Sequence, residues 1–209
     1  MSAREEVLAR IRTALGETPG PVPAVARDHR RAEDVPADAA LLDLLVDRVE
    51  DYRADVLRCT PDQVGATVRA ALDRGLGADW AAADVVVAPG LDVAWRPEGC
   101  DVDDDRPAVQ LADRAAAVTA VAVAIAETGT LVLDGSAPCG RRALSLLPDC
   151  LVCVVTVDQV VAGVPEGIAR LDPLRPLTMI SGPSATSDIE LQRVEGVHGP
   201  RQLFVVLAG

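Results

Sequence analysis

The run Asp84-Val85-Val86-Val87-Ala88-Pro89 (DVVVAP) decides the fold class of this 209-residue chain. It is short, rich in β-branched side chains and ended by Pro89-Gly90, and no polar residue alternates with the valines. This pattern predicts a strand buried on both faces, which is typical of parallel sheets covered by helices. Similar runs recur at residues 117–126, 130–133, 151–155, 177–180 and 203–207.

Helical patterns precede and separate these runs. Apolar residues recur at helical spacing from Leu41 to Val49, which predicts a helix over residues 41–52. Thr60-Pro61-Asp62 opens another helix that we expect to run to about residue 74, because threonine caps helices and proline suits their first turn. Helices alternating with buried strands predict an α/β layered domain with a largely parallel sheet.

The N-terminal region has a different character. Val7, Leu8, Ile11 and Leu15 form one apolar stripe on a short helix over residues 4–15. Residues 16–36 are rich in proline, glycine and charge, which indicates a linker or arm. We therefore expect an arm over residues 1–36 and an α/β domain over residues 37–209. The helix could dock on its own domain or on a second subunit, so the arm is a candidate means of oligomerisation.

Composition excludes several classes of function. The formal net charge of −12 and the pI near 4.5 argue against nucleic-acid or anionic-membrane surfaces, since these need clustered positive charge. All twenty basic residues are arginine, which rules out a Schiff-base lysine and a P-loop lysine. We expect small molecules or proteins as partners.

The N-terminal sequence and the cysteines predict a cytoplasmic protein. The first fifteen residues are charged and lack the features of a secretory signal, and the apolar run over residues 115–126 is too short to span a membrane. The five cysteines form no disulfide framework. Cys150 and Cys153 lie three apart on a predicted strand, so their sulfur atoms should point to opposite faces, and we expect no metal site there.

Two loops carry most of the candidate chemistry. In Glu127-Thr128-Gly129-Thr130, the hydroxyls and backbone N–H groups could cradle a carboxylate or phosphate, and Glu127 could transfer a proton. The alternative for this loop is a hairpin turn with solvated polar residues. In the second loop, Gly182 allows close backbone approach while Ser184 and Thr186 offer hydroxyls. Part of that loop has a simpler explanation, because Ser187 and Glu190 have capping-box spacing.

Because ligands of parallel sheets bind at the carboxyl ends of the strands, we expect both loops to lie there and to face one cleft. His198 lies on a constrained loop between Gly196 and Gly199, which is compatible with proton transfer or ligand orientation. The alternative is a histidine that only hydrogen-bonds within its own loop. Arg141 and Arg142 could pair with an anionic ligand held by the Glu127 to Thr130 loop, although a solvated helix start is the simpler explanation. We take Glu127 and His198 as candidate catalytic residues. The candidate ligand-binding residues are Thr128, Gly129, Thr130, Arg142, Gly182, Ser184, Thr186 and Gly199.

Four motifs together resemble the lactate utilization protein C family, whose members carry a LUD domain. They are AIAETGT at residues 124–130, RALSLLP at 142–148, GPSATSDIE at 182–190 and GVHGP at 196–200. The resemblance implies a three-layer α/β/α fold like that of the sugar-phosphate isomerase and CoA-transferase superfamily. It also implies a role in oxidising L-lactate to pyruvate alongside two iron–sulfur partner proteins. Because those partners carry the clusters, we expect no cofactor in this chain.

Three functional hypotheses follow. The first is a component of an L-lactate utilization system, such as a subunit of a lactate-oxidising dehydrogenase complex, that binds a small carboxylate. The second is a stand-alone enzyme of the sugar-phosphate isomerase or CoA-transferase type, with Glu127 or Glu190 as base or nucleophile and His198 as acid. The third is a non-catalytic binding or regulatory module.

Overall fold

The computed structural model describes residues 2–16, 23–26, 39–186, 194–195 and 199–209. Its contacts divide the chain into two compact units, residues 1–30 and 31–209. The first unit contains α1 (Ala3–Leu15), which begins with a capping box: the Ser2 hydroxyl accepts the Glu5 N–H, and the Glu5 carboxylate accepts the Ser2 N–H. The helix expected at residues 4–15 is confirmed, and it buries none of its own residues.

The second unit alternates helices and strands. Its helices are α2 (Ala39–Asp51), α3 (Val64–Leu76), α4 (Ala108–Ala112), α5 (Arg142–Leu146) and α6 (Val164–Ala169). Its strands are β1 (Asp55–Cys59), β2 (Val85–Val87), β3 (Asp101–Val102), β4 (Ala116–Ala120), β5 (Val123–Ile125), β6 (Thr130–Leu133), β7 (Cys150–Thr156), β8 (Val160–Val161), β9 (Thr178–Ile180), β10 (Ala185–Thr186), β11 (Val194–Glu195) and β12 (Gln202–Ala208). No helix in the described ranges combines the length and apolar character that crossing a bilayer requires.

A six-stranded sheet forms the centre of this unit. Its strand order is β1-β12-β7-β4-β2-β3, and every neighbouring pair is parallel. The inner strands are continuous apolar runs with almost no exposed surface, as expected for a sheet buried on both faces. The predicted α/β class with a largely parallel sheet is confirmed.

Small residues allow a helix to lie close to this sheet. α3 packs against β7 and β12, where Gly75 faces Cys150 and Phe204. A methyl group on Gly75 would lie 2.8 Å from Cys150 Sγ and 2.9 Å from the Phe204 ring, so a larger residue would push the helix away. The helix predicted to open at Thr60 begins as a 3-10 turn (Pro61–Gln63) that leads into α3.

A second sheet has a different topology. Its order is β8-β5-β6-β9, with β5 and β6 joined as an antiparallel hairpin and β9 antiparallel to β6. The single strand expected over residues 117–126 is therefore two strands in two sheets. The placement of Glu127-Thr128-Gly129-Thr130 at the carboxyl edge of the parallel sheet is also wrong, because these residues form the turn of the β5–β6 hairpin. A continuous apolar run does not reveal where its backbone hydrogen-bond partners change.

Candidate functional site

The candidate site is a cavity of about 300 Å³ beside β9, the edge strand of the second sheet. Within the part of the chain that the structure describes, the residues lining it are Arg142, Ser145, Leu146, Leu177, Thr178, Met179, Ile180, Ser181, Gly182, Ser184, Gly199 and Pro200. Arg142 is the one charged side chain among these lining residues. The cavity therefore carries local positive charge in a chain of net charge −12, which favours an anionic ligand.

Four predicted ligand-binding residues meet at this cavity. They are Arg142, Gly182, Ser184 and Gly199, which come from three separate segments of the chain. The Ser184 N–H donates to the Pro200 carbonyl at 2.8 Å, which ties the segment after β9 to the one before β12. A methyl group on Gly199 would lie 3.4 Å from Ser184 Cβ, an ordinary contact distance. The fold thus assembles these residues, while their part in binding stays a prediction.

Two adjacent arginines at the start of α5 have opposite environments. Arg141 donates two hydrogen bonds to the Asp103 carboxylate, at 2.7 and 2.9 Å, and a third to the Arg106 carbonyl at 2.6 Å. Asp103 is only 6% exposed, and its hydrogen bonds raise the pKa of Arg141. Arg142 is exposed, and within the described ranges its side chain makes no ion pair or hydrogen bond. Arg141 therefore stabilises the fold, and Arg142 is available to a ligand.

A smaller cavity of about 120 Å³ adjoins the first. Arg142, Ser145 and Thr178 line both cavities. Ser145 is buried and donates its hydroxyl proton to the Arg142 carbonyl at 3.1 Å, so it is partly committed to the structure of α5. Arg142 therefore lies between the two cavities and borders both of them.

Two glycine turns hold the site against the end of α2. Gly182 has φ +86°, and a methyl group there would lie 2.6 Å from Tyr52 Cβ and 2.8 Å from the Tyr52 carbonyl oxygen. Gly129 has φ +58°, and a methyl group there would lie 2.8 Å from the Arg48 carbonyl carbon. Both positions need glycine for backbone conformation and for close approach. Packing therefore accounts for these two residues without any ligand.

A chain of hydroxyl groups connects the β5–β6 turn to the cavity. Thr128 Oγ1 lies 2.7 Å from Thr130 Oγ1, which lies 2.8 Å from Ser181 Oγ. Thr130 is 7% exposed, whereas Ser181 is exposed and lines the cavity. The two predicted loops are thus joined, but through Ser181, while Thr128, Gly129 and Thr130 do not line the cavity themselves.

Glu127 lies on the other side of the same turn. Its N–H donates to the Ala162 carbonyl at 3.0 Å, and its Oε2 lies 3.3 Å from where a methyl group on Gly163 would stand. Glu166 Oε2 lies 2.9 Å from that same point, so the two carboxylates are neighbours beside β8 and α6. Glu127 does not line the described part of the cavity.

Comparison with known proteins identifies the family. A domain model described as the LUD domain matches residues 92–208. A protein of Deinococcus radiodurans named lactate utilization protein C is 43% identical to this chain, and the match covers 99% of this chain and 96% of that protein. The chain belongs to the lactate utilization protein C family. A second protein of that name, from Exiguobacterium sp., is 28% identical over 98% of this chain and 95% of its own length.

A solved structure agrees with the family fold. The crystal structure of a DUF162 family protein from Deinococcus radiodurans matches with a TM-score of 0.68 and 38% identity, covering 83% of this chain and 100% of that one. All the cavity-lining residues fall within the matched LUD domain, whereas Arg48 and Tyr52, which support the two glycine turns, precede it.

In this lactate utilization protein C family member, His198 and the side chain of Thr186 lie outside the described part of the structure. His198 is outside the described residues, as are Ser187 and Glu190 of the capping-box alternative. Thr186 belongs to the backbone of β10, which pairs with β11 in an antiparallel ladder, but the position of its side chain is not described. Proton transfer by His198 and ligand binding by Thr186 stay predictions.

The cysteines of this family member are mostly buried. Cys150 faces α3 beside Gly75, and Cys153 Sγ lies 3.7 Å from Thr119 Oγ1, so the two sulfur atoms point to opposite faces of β7 as expected. Burial raises the pKa of each thiol to about 12. Among the described residues, no three Cys, His, Asp or Glu side chains converge on a point where they could hold a metal ion.

Sequence reasoning missed part of the cavity wall in this family member. Ser181 directly precedes the predicted loop and is not among the predicted site residues, and Thr178 and Met179 are predicted only as strand residues. The signal for Ser181 was its position between an apolar strand and a glycine, where a side chain commonly faces a ligand. No local signal pointed to Met179, because its exposure depends on β9 being a sheet edge.

Proposed function

We propose that this chain is a component of an L-lactate utilization system and that it binds a small carboxylate in the cavity beside Arg142. Family membership supports the biological context, since full-length relatives carry the name lactate utilization protein C. The observation that carries the proposal is Arg142, an exposed guanidinium without an ion-pair partner among the described residues, in a cavity lined by hydroxyl groups.

The cavity offers a complement to each part of lactate. The guanidinium of Arg142 can hold a carboxylate through two parallel hydrogen bonds. The hydroxyl of Thr178 suits the hydroxyl or keto oxygen, and Leu177 and Met179 provide apolar surface for the methyl group. A volume of about 300 Å³ is sufficient for a three-carbon acid and is at the lower end for ligand pockets.

The redox part of the proposal needs partners. Oxidation of L-lactate to pyruvate releases two electrons and two protons, and we assign the electrons to iron–sulfur proteins that act with this chain. Cys150 and Cys153 support that division, because their side chains diverge across β7. Within this proposal the chain holds and orients the carboxylate, and His198 and Glu127 are its candidates for proton transfer. Glu127 lies on the other side of the β5–β6 turn and does not line the described part of the cavity, so it would act there only indirectly.

Ligand-induced thermal stabilisation tests the binding step. L-lactate or pyruvate should raise the melting temperature of the wild-type protein, because a ligand that binds only the native state stabilises it. Sugar phosphates and CoA esters serve as the comparison ligands. Stabilisation by one of these, with none by lactate or pyruvate, would contradict the proposal and favour the stand-alone enzyme of the isomerase or transferase type.

Reconstitution tests the system role. Lactate oxidation should require this chain together with the two iron–sulfur partners, and omission of this chain should abolish or strongly reduce it. Glu127→Gln and His198→Ala variants then separate catalysis from binding. If both variants support full oxidation while remaining folded, neither residue transfers a proton and the chain acts as a binding module.

A further inference from the structure

Ser181 reaches the cavity at the end of the hydroxyl chain that begins at Thr128 and passes through Thr130. We infer that these linked hydroxyls make Ser181 a hydrogen-bond donor to the ligand's carboxylate. Thr130 is the positioning residue that orients the Ser181 hydroxyl. The inference rests on the proposed function, and it names a second anion contact besides Arg142. It also predicts that the site selects the charged carboxylate over neutral analogues of the same shape.

Strand register places the two central hydroxyls together. In the antiparallel β6–β9 ladder, Leu131 pairs with Ile180 and Val132 with Met179. The next pair in this register is Thr130 opposite Ser181, and their oxygen atoms lie 2.8 Å apart. Directly opposed residues have the closest side chains in a sheet, so the geometry of this pair follows from the backbone.

The neighbours of Ser181 hold it in place on the other side. Gly182 follows it directly and packs against Tyr52 with a backbone conformation that favours glycine. Thr130 is 7% exposed and contacts hydroxyls on both sides, which restricts its rotation. Ser181 is therefore an exposed side chain on a rigid support, as a preorganised binding group should be.

The direction of the hydroxyl chain determines what Ser181 offers to a ligand. Each hydroxyl has a single proton. If Thr128 donates to Thr130 and Thr130 donates to Ser181, the Ser181 proton is left for the cavity. In the reverse direction Ser181 would present only lone pairs, which an anion repels. A bound carboxylate therefore selects the first direction, and aligned donors strengthen one another.

Reversing the hydrogen bonds among these hydroxyls breaks none of their short contacts. Thr130 can donate to the Thr128 hydroxyl at 2.7 Å or to the Ser181 hydroxyl at 2.8 Å, and both contacts are kept when donor and acceptor are exchanged. The Thr128 carbonyl lies 3.4 Å from Thr130 Oγ1, beyond the usual length of a hydroxyl hydrogen bond, so it competes only weakly for the proton. An anion in the cavity can therefore select the direction in which Ser181 donates to it.

Calorimetric titration of the full-length protein with pyruvate and L-lactate tests the inference. Ser181→Ala should weaken pyruvate binding roughly tenfold to a hundredfold, since it removes a hydrogen bond to a charged group. Thr130→Val, which keeps the shape but removes the hydroxyl, should weaken it by about threefold to tenfold, and Thr130→Ser should restore it. Thr119→Val is the matched control, because it makes the same change at a buried threonine of β4 outside the cavity lining.

Neutral lactamide supplies a readout that a purely structural role would not affect. Lactamide should bind much more weakly than L-lactate to the wild type. In Ser181→Ala, the ratio of the lactate affinity to the lactamide affinity should be smaller than in the wild type. Unchanged pyruvate binding in Ser181→Ala, with binding lost in Arg142→Ala, would overturn this inference and leave the proposed function standing. Failure of pyruvate and lactate to bind the wild type would remove the proposed function, and this inference with it.

Discussion

The two sheets of the α/β unit differ in what their side chains do. The six-stranded parallel sheet is apolar throughout its centre, and its polar groups, such as Thr119 and Cys153, contact one another. The four-stranded sheet is smaller and mixed, and its edge strand β9 exposes Met179 and leads into Ser181 and Gly182 beside the cavity. The larger sheet thus accounts for stability, and the smaller one holds the candidate site.

The position of the cavity differs from that of most ligand sites in α/β folds. Ligands commonly bind at the carboxyl ends of parallel strands, and the sequence pattern predicts that both functional loops lie there. The cavity instead lies where an antiparallel edge strand meets α5 and the segment before β12. Substitutions in the two sheets should therefore have separable effects on stability and on binding.

Truncation in the parallel sheet should have the largest effect on stability. Leu151 of β7 is buried, and Leu151→Ala should lower the free energy of unfolding by about 2–5 kcal/mol because it leaves a cavity in a close-packed core. Leu174→Ala, at a leucine that is 92% exposed, is the control and should change it by less than about 0.5 kcal/mol. Urea denaturation measures both. Equal losses would contradict the assignment of Leu151 to a close-packed core in the parallel sheet.

The adjacent arginines should separate stability from binding. Arg141→Ala leaves the buried Asp103 carboxylate without its partner and should cost about 2–3 kcal/mol, less than a fully buried pair because Arg141 keeps some solvent contact. Arg142→Ala should cost less than about 0.5 kcal/mol but weaken pyruvate binding roughly tenfold or more. Denaturation and calorimetry on both variants check this. If Arg141→Ala lost pyruvate binding and Arg142→Ala kept it, the anion would be bound by Arg141, and the roles given to the two arginines would be wrong.

Alkaline pH should destabilise the parallel sheet through its buried thiols. Burial raises the pKa of Cys150 and Cys153 from the ordinary value of 9.0 to about 12. Both thiols stay protonated when folded but ionise near pH 9 when unfolded, so their contribution to stability is fully present below pH 9 and is lost as pH rises towards 12. The two together should cost about 2–3 kcal/mol by pH 10. Unfolding at pH 8, 9 and 10 measures this, and a Cys150→Ala/Cys153→Ala variant with the same pH dependence would refute the assignment.

Two glycines at the cavity should respond differently to the same substitution. Gly182→Ala should lower stability by about 1–2 kcal/mol, because its φ of +86° is unfavourable for alanine and its methyl group would meet Tyr52. Gly199→Ala should have an effect within about 0.5 kcal/mol, since its methyl group would make ordinary contacts. Thermal denaturation compares the two variants. A larger loss at Gly199 would show that the turn after β9 is not held against α2 as described.

The predictable part of the fold is the part that local pattern determines. Mainly apolar runs without alternation identify β2, β4, β7 and β12, because strands buried on both faces show no alternation. β1 was missed, since it lies at the sheet edge, where charged residues such as Asp55 and Arg58 are tolerated. The assignment of β5 and β6 to a second sheet was not predictable, because pairing partners are chosen by contacts between distant residues.

The candidate site was predictable only as separate pieces. Gly182, Ser184, Gly199 and Arg142 were selected from residue type and loop context, and the fold brings all four to one cavity. The link between Thr130 and Ser181 was not predictable, because it joins residues 51 positions apart through strand register. The different roles of Arg141 and Arg142 depend on Asp103, which no local pattern connects to α5.

A crystal structure of the protein with bound pyruvate tests the central claim most directly. The carboxylate should lie in the cavity beside β9, paired with the Arg142 guanidinium and accepting a hydrogen bond from Ser181 Oγ. Pyruvate bound at the carboxyl edge of the six-stranded parallel sheet, with the cavity beside β9 empty, would contradict the claim that the smaller sheet holds the functional site.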